Sequence, residues 1–146
     1  MTTPILRRLH DLPEFEMADD NPDVRGWTVR GSEGRSLGTV YELIVDPAAL
    51  KVRYLDIELD ARFGRPEAER HILLPIGVAA LDEEDDNVFV TALNSESVLQ
   101  YPPYIELQIT REYEEAMLRA LGKAPAAGDF YDRGSYDAGA FYARGR

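Results

Sequence analysis

Between residues 24 and 110, apolar and polar positions alternate in short runs separated by turn residues. Trp27 and Val29 alternate with Thr28 and Arg30. The stretch 37–45 is β-branched and aromatic until Asp46-Pro47 interrupts it. Residues 52–59 place Leu55, Ile57 and Leu59 on one face and Tyr54, Asp56 and Glu58 on the other, the period of two that a strand imposes. His71 to Ile76, with Pro75 near its end, reads as a further strand at an edge or bulge. Val88 to Leu93 and Tyr104 to Ile109 read as strands as well. Gly31 to Gly34, residues 61–69, the acidic run Asp82 to Asn87 and Tyr101-Pro102-Pro103 are the connections. About six short strands in some 85 residues predict a mainly β fold, a small antiparallel barrel or sandwich. Its expected interior is Trp27, Val29, Leu55, Ile57, Leu59, Ile72, Leu74, Val90, Ile105 and Leu107.

The flanks follow other patterns. Residues 1–23 form a polar leader in which Thr3 and Pro4 suit a helix start, Ile5, Leu9 and Leu12 recur at helical spacing, and Pro13 stops the run. A short N-terminal helical turn is therefore expected. The strand region occupies 24–110, and a C-terminal helix follows over 111–122. Thr110 can cap that helix, Glu112, Glu114 and Glu115 lie toward its positive end, Tyr113, Met117 and Ala120 or Leu121 make its apolar stripe, and Gly122 stands at its stop. Residues 123–146 contain no Ile, Leu or Val, and are rich in glycine and aromatics. In this tail Phe130-Tyr131-Asp132-Arg133-Gly134 is echoed by Phe141-Tyr142-Ala143-Arg144-Gly145.

Composition narrows the chemistry. The chain has 146 residues, one domain's length, and no cysteine, so disulfides, thiolate metal sites and cysteine catalysis are excluded. With 27 acidic against 16 basic residues the net charge is −11, a field that disfavours nucleic-acid backbones and anionic membranes. No apolar run is long enough to span a bilayer and no signal-peptide core is present, so neither membrane insertion nor secretion is expected and a cytoplasmic location is.

Few residues can carry a reaction. There is no G-x-S-x-G elbow, the serines lie in turns, and the glycines at 26, 31, 34 and 38 make no phosphate cradle. The only histidines are His10 and His71, and His71 opens a strand beside Arg70, where an ordinary strand histidine is the plainer reading. The run Asp82 to Asp86 lacks the glycine and the spaced ligands of a calcium loop. Asp56 and Glu58 lie two apart on one strand face, a pair able to relay a proton or hold a cation; the plainer reading is a solvated strand face with ordinary carboxylates. Asp56, Glu58 and His71 are thus the proton-relay or cation candidates. No catalytic residue, metal site or cofactor is assigned.

In order along the chain, Asp23-Val24-Arg25-Gly26-Trp27-Thr28-Val29, Gly38 to Asp46, Tyr54 to Leu59, His71 to Ile76 and Val88 to Leu93 resemble the PRC-barrel family. These stretches resemble the cytoplasmic domain of the photosynthetic reaction-centre H subunit, without its membrane helix. The resemblance covers about residues 23–110 and implies a small β-barrel used as an adaptor or docking module rather than an enzyme, with family members often placed near stress response. It also matches the family's acidic strand to Asp56 and Glu58.

The expected function is therefore non-enzymatic docking, with a protein partner or a second copy of the chain. A small-ligand or metal-responsive module is the alternative. The tail supplies the docking candidates Phe130, Tyr131, Arg133, Phe141, Tyr142 and Arg144, since rings give contact area at low entropic cost and arginines pair with acidic surfaces.

Overall fold

The strands are β1 (Arg7–Arg8), β2 (Thr28–Arg30), β3 (Ser36–Asp46), β4 (Lys51–Leu59), β5 (His71–Pro75), β6 (Ala80–Asp82) and β7 (Asn87–Phe89), followed by the helix α1 (Arg111–Ala120). The computed structural model describes residues 6–9, 23–48, 51–105, 109–122, 136 and 141–142. β3 and β4 form the spine, antiparallel from Gly38 opposite Leu59 to Asp46 opposite Lys51. Asp46 ends β3 by turning its carboxylate onto the Ala48 N–H at 3.1 Å, and Pro47 lacks the donor that would extend the ladder. β3 and β4 approach so closely that a Cβ on Gly38 would run into the Glu58 carbonyl.

β4 lies between β3 and β5 on the sheet path β5-β4-β3-β2-β7-β6. The other edge of β3 is shared: β2 pairs with its first half, and β1 with Ile44 and Val45 in its second. A hairpin through the exposed turn Glu83 to Asp86 joins β6 and β7, with Asp86 at φ 54°. The resulting sheet has seven strands and differs from the antiparallel barrel that the pattern suggested. It is mixed, because β7 joins β2 in parallel, Thr28 opposite Asn87. No ladder among the described residues closes it. The outer edge of β5 is occupied instead by the chain that follows: Tyr104 N–H donates to the His71 carbonyl at 2.7 Å, and the Tyr101 hydroxyl to the Leu73 carbonyl at 2.5 Å.

Other expectations shift in position. Arg7–Arg8 is a strand on β3 and Leu9 begins a 3-10 turn; the other residues of the expected helical turn, Thr3, Pro4, Ile5, Leu12 and Pro13, lie outside the described residues, as does His10. β6 is an additional strand, made where Ala80 and Leu81 pair with Phe89 and Val88. Tyr104 and Ile105 are not strand, and Ile105 is 58% exposed rather than interior. Leu107 lies outside the described residues. Trp27 is half-buried, packed against the core, while Val29, Leu55, Ile57, Leu59, Ile72, Leu74 and Val90 are buried as expected. Burial of each such side chain contributes about 1.5–3 kcal/mol.

The helix is legible residue by residue. Thr110 caps it by accepting from the Tyr113 N–H at 3.2 Å, and Gly122 at φ +75° takes the left-handed conformation that ends it. Its buried side chains are Glu114, Met117 and Leu118. Ala120 is exposed, and Leu121 is the residue that turns inward.

Candidate functional site

The polar face of β4 is not a wet face. Tyr54 and Asp56 are buried, and only Glu58 reaches solvent. The β4–β5 register sets Glu58 opposite His71 and Asp56 opposite Leu73, which puts His71 diagonal to Asp56 on one face. His71 Nδ1 lies 2.8 Å from Asp56 Oδ1, and Nε2 lies 4.0 Å from Glu58 Oε2. The three candidates, Asp56 and Glu58 on the acidic strand and His71, thus form one cluster.

A bulge in β3 completes it. The ladder steps from Val40 opposite Ile57 to Glu42 opposite Asp56, leaving Tyr41 as the extra residue. Tyr41 is 55% exposed and meets His71 edge-on, with ring centroids 4.8 Å apart. Glu42 turns inward, where its carboxylate accepts from the Leu43 N–H at 3.0 Å and from Arg25 Nη1 at 3.5 Å. Burial pushes the Asp56 carboxyl above its usual range; His71 and Arg8 offset part of that rise, and the negative charge of Glu42 adds to it. The solvated strand face expected at Asp56 is therefore corrected: the residue is 4% exposed, with the His71 ring held against its carboxylate. Burial also pushes the Tyr104 hydroxyl up, with Asp56 adding to the rise and Arg8 opposing it, so Arg8, Asp56 and Tyr104 share one field.

These groups line a cleft of about 420 Å³. Among the described residues, Asp56 and His71 lie on its polar side, Leu6, Ile44 and Ile109 supply apolar lining, and Arg7, Arg8, Tyr41, Tyr104 and Ile105 also line it. Arg8 lies opposite Ile44 in the β1–β3 ladder, so the two share a face. Among the described residues no group of three or more His, Asp or Glu is arranged to hold a metal ion.

A second polar cluster ties the helix to the sheet. The Tyr54 hydroxyl donates to Glu114 Oε2 at 2.5 Å and lies 2.7 Å from the Tyr136 hydroxyl, with Arg111 Nε 3.5 Å from Glu114 Oε1. Burial raises the Tyr54 pKa well above the usual phenol range, and the neighbouring Tyr136 and Glu114 add to the rise. The tail candidates divide. Phe141 and Tyr142 are buried in the chain's own hydrophobic core, their rings in edge contact at 4.9 Å, so they are internal packing groups rather than a free docking surface. Phe130, Tyr131, Arg133 and Arg144 lie outside the described residues.

Sequence reasoning missed Tyr41, Arg8 and Tyr104, which reach the cleft through a bulge, a two-residue strand and a non-strand segment with no periodic signal. It also missed Glu114, although that residue sits three and four positions before Met117 and Leu118, inside the buried stripe of α1.

The fold and the cleft define a mainly β domain, a bulged mixed sheet carrying one capped helix, in which no helix among the described residues is long and apolar enough to cross a membrane. The model of the PRC-barrel domain matches residues 19–96, just over half of the chain, and the chain belongs to that family. No curated protein matches it. Tyr41, Asp56 and His71 fall within the matched span, whereas Arg7, Arg8, Tyr104, Ile105 and Ile109 lie on either side of it.

Proposed function

We propose that this PRC-barrel chain is a non-enzymatic docking module that holds a protein partner, or a second copy of itself, at the cleft beside His71. One observation carries the reading. Tyr41 and Ile105, two of the three large apolar side chains that stand exposed among the described residues, both line this cleft. Exposed apolar surface gathered at a concavity is the usual mark of a surface that another molecule covers. Membership of the PRC-barrel family supports an interaction role at this coarse level. Enzymatic use has less support: His71 is held by Asp56, but no serine or threonine hydroxyl among the described residues hydrogen-bonds its ring. The cleft's volume of about 420 Å³ also suits a small ligand, which makes that the second reading.

The test is a double substitution, Tyr41→Ser with Ile105→Ser, at two exposed positions. Folding stability should change by no more than about 0.5 kcal/mol. Mass in solution, or the set of proteins that co-purify, should lose a component. An unchanged mass together with an unchanged set would refute docking at the cleft.

A further inference from the structure

His71 is fixed at its backbone and at one ring nitrogen, while the other nitrogen faces a second carboxylate. Its carbonyl accepts the Tyr104 N–H at 2.7 Å, its ring meets Tyr41 edge-on, and its Nδ1 lies 2.8 Å from Asp56 Oδ1. An ionised carboxylate only accepts, so with Asp56 charged the ring proton sits on Nδ1 and the lone pair on Nε2. Nε2 is 4.0 Å from Glu58 Oε2, and the two side chains reach solvent, 27% exposed at His71 and 47% at Glu58. The strand frame holds both residues in place: Glu58 stands directly opposite His71, and the neighbouring Leu59 N–H donates to the Arg70 carbonyl at 2.8 Å.

We propose that His71 Nε2 and Glu58 Oε2 bind a divalent transition-metal ion of the zinc class, with Asp56 as the positioning residue behind the imidazole. An imidazole nitrogen beside a carboxylate oxygen is a donor pair that zinc accepts, whereas calcium and magnesium favour shells of oxygen alone. A carboxylate on the other ring nitrogen is the usual backing of a metal-bound histidine; it fixes tautomer and orientation and makes the ligand more basic. The separation fits as well. With metal–ligand distances near 2.1 Å, tetrahedral ligands stand roughly 3.4 Å apart, so a shift of about 0.6 Å by the exposed Glu58 side chain closes the pair on an ion. The two carboxylates of β4 thereby divide their work. Asp56 is engaged on Nδ1, which leaves two described ligands rather than three, and water fills the other positions of an open site. The site stands on residues other than those of the docking reading, Glu58 and His71 here against Tyr41 and Ile105 there, so either can fail without the other.

The experiment titrates zinc chloride into the full chain by calorimetry, with nitrogen NMR of the histidine rings alongside. Zinc should bind with a Kd of about 10–100 µM, and calcium and magnesium at least about tenfold more weakly. Glu58→Gln, at an exposed position, should weaken zinc binding at least about tenfold, and His71→Asn should remove it. Asp56→Asn should weaken it by about 10–100-fold and move the His71 ring proton from Nδ1 toward Nε2 in the metal-free chain, a change that lost packing alone does not produce. Zinc should shift the Nε2 resonance of His71 in the native chain. No zinc binding up to about 1 mM would overturn the proposal, as would calcium binding more tightly than zinc. Undiminished zinc binding by either Glu58→Gln or His71→Asn would place the ion elsewhere, the exposed turn Glu83 to Asp86 included, and would equally overturn it. Should His71→Asn fail to fold by circular dichroism, Glu58→Gln and the Nε2 resonance decide, and a resonance that zinc leaves unmoved sinks the site. Unchanged affinity and an unchanged tautomer in Asp56→Asn would remove Asp56 from its positioning role.

Discussion

At Asp56 a carboxyl group is held where burial opposes its charge, with one imidazole beside it and a second carboxylate, Glu42, across the ladder. Its folded-state pKa lies above the ordinary value of 3.8. Between the unfolded and the folded pKa, the folded chain therefore binds more protons than the unfolded one, and stability falls as pH rises through that window. Asp56→Asn cannot titrate. The stability of the native chain relative to D56N should be greatest below the ordinary carboxylate range and decline as pH rises through the folded pKa. Urea unfolding of both proteins across that range measures it. His71 and Arg8 oppose the shift without reversing it. Repeating the comparison with His71→Asn in both chains should steepen the decline, and a difference that stays flat or grows with pH would show that Asp56 is not desolvated. Asp56, Glu58 and His71 are each visible in the sequence as groups able to do chemistry. Their meeting is not, because it depends on the β4–β5 register across the intervening loop, which the local pattern does not encode.

Among the elements, alternation along 52–59 predicts β4 and its inner face correctly, since Leu55, Ile57 and Leu59 are all buried. It misjudges the other face for a physical reason. A period of two reports which residues share a side, and does not report what covers that side. Here α1 lies across it, and a carboxylate that is wholly buried, Glu114, receives the Tyr54 hydroxyl. The ends of α1 were readable because capping is local chemistry, Thr110 at one end and Gly122 at the other. The Tyr54 hydroxyl that Glu114 receives lies 60 residues away along the chain, beyond any local signal. Tyr54→Phe should therefore cost about 1–3 kcal/mol, because it removes a donor from a buried acceptor while leaving the ring's packing in place. Chemical denaturation at neutral pH is the measurement. A change within about 0.5 kcal/mol would mean that the bond between β4 and α1 contributes no more than a surface contact.

For the whole molecule, the sheet stays open among the described residues, and the elements that finish the core come from beyond the family's matched span. Met117, Leu118 and Leu121 belong to the α1 region, and Tyr136, Phe141 and Tyr142 to the tail; all six are in the same hydrophobic cluster as the strands. The tail's aromatics stood out in the sequence because its other apolar residues are small, and that bias suggested rings available to a partner. The positions of Tyr136, Phe141 and Tyr142 give it a different weight: they are 1%, 0% and 4% exposed, and Tyr136 reaches the Tyr54 hydroxyl at 2.7 Å. A chain ending after Gly122 would lose all three rings and leave Tyr54, Glu114 and the neighbouring apolar side chains facing water. Removing a single buried aromatic costs about 3–5 kcal/mol, a large share of the 5–15 kcal/mol that holds a typical domain folded. The truncated chain should therefore melt at a clearly lower temperature and unfold at lower urea concentration than the full chain, even in the absence of any partner. Phe141→Ala within the full chain should reproduce much of that loss on its own. If both variants instead melted with the full chain, the rings would not be part of the fold's core, and the tail would again be available as a surface for other molecules.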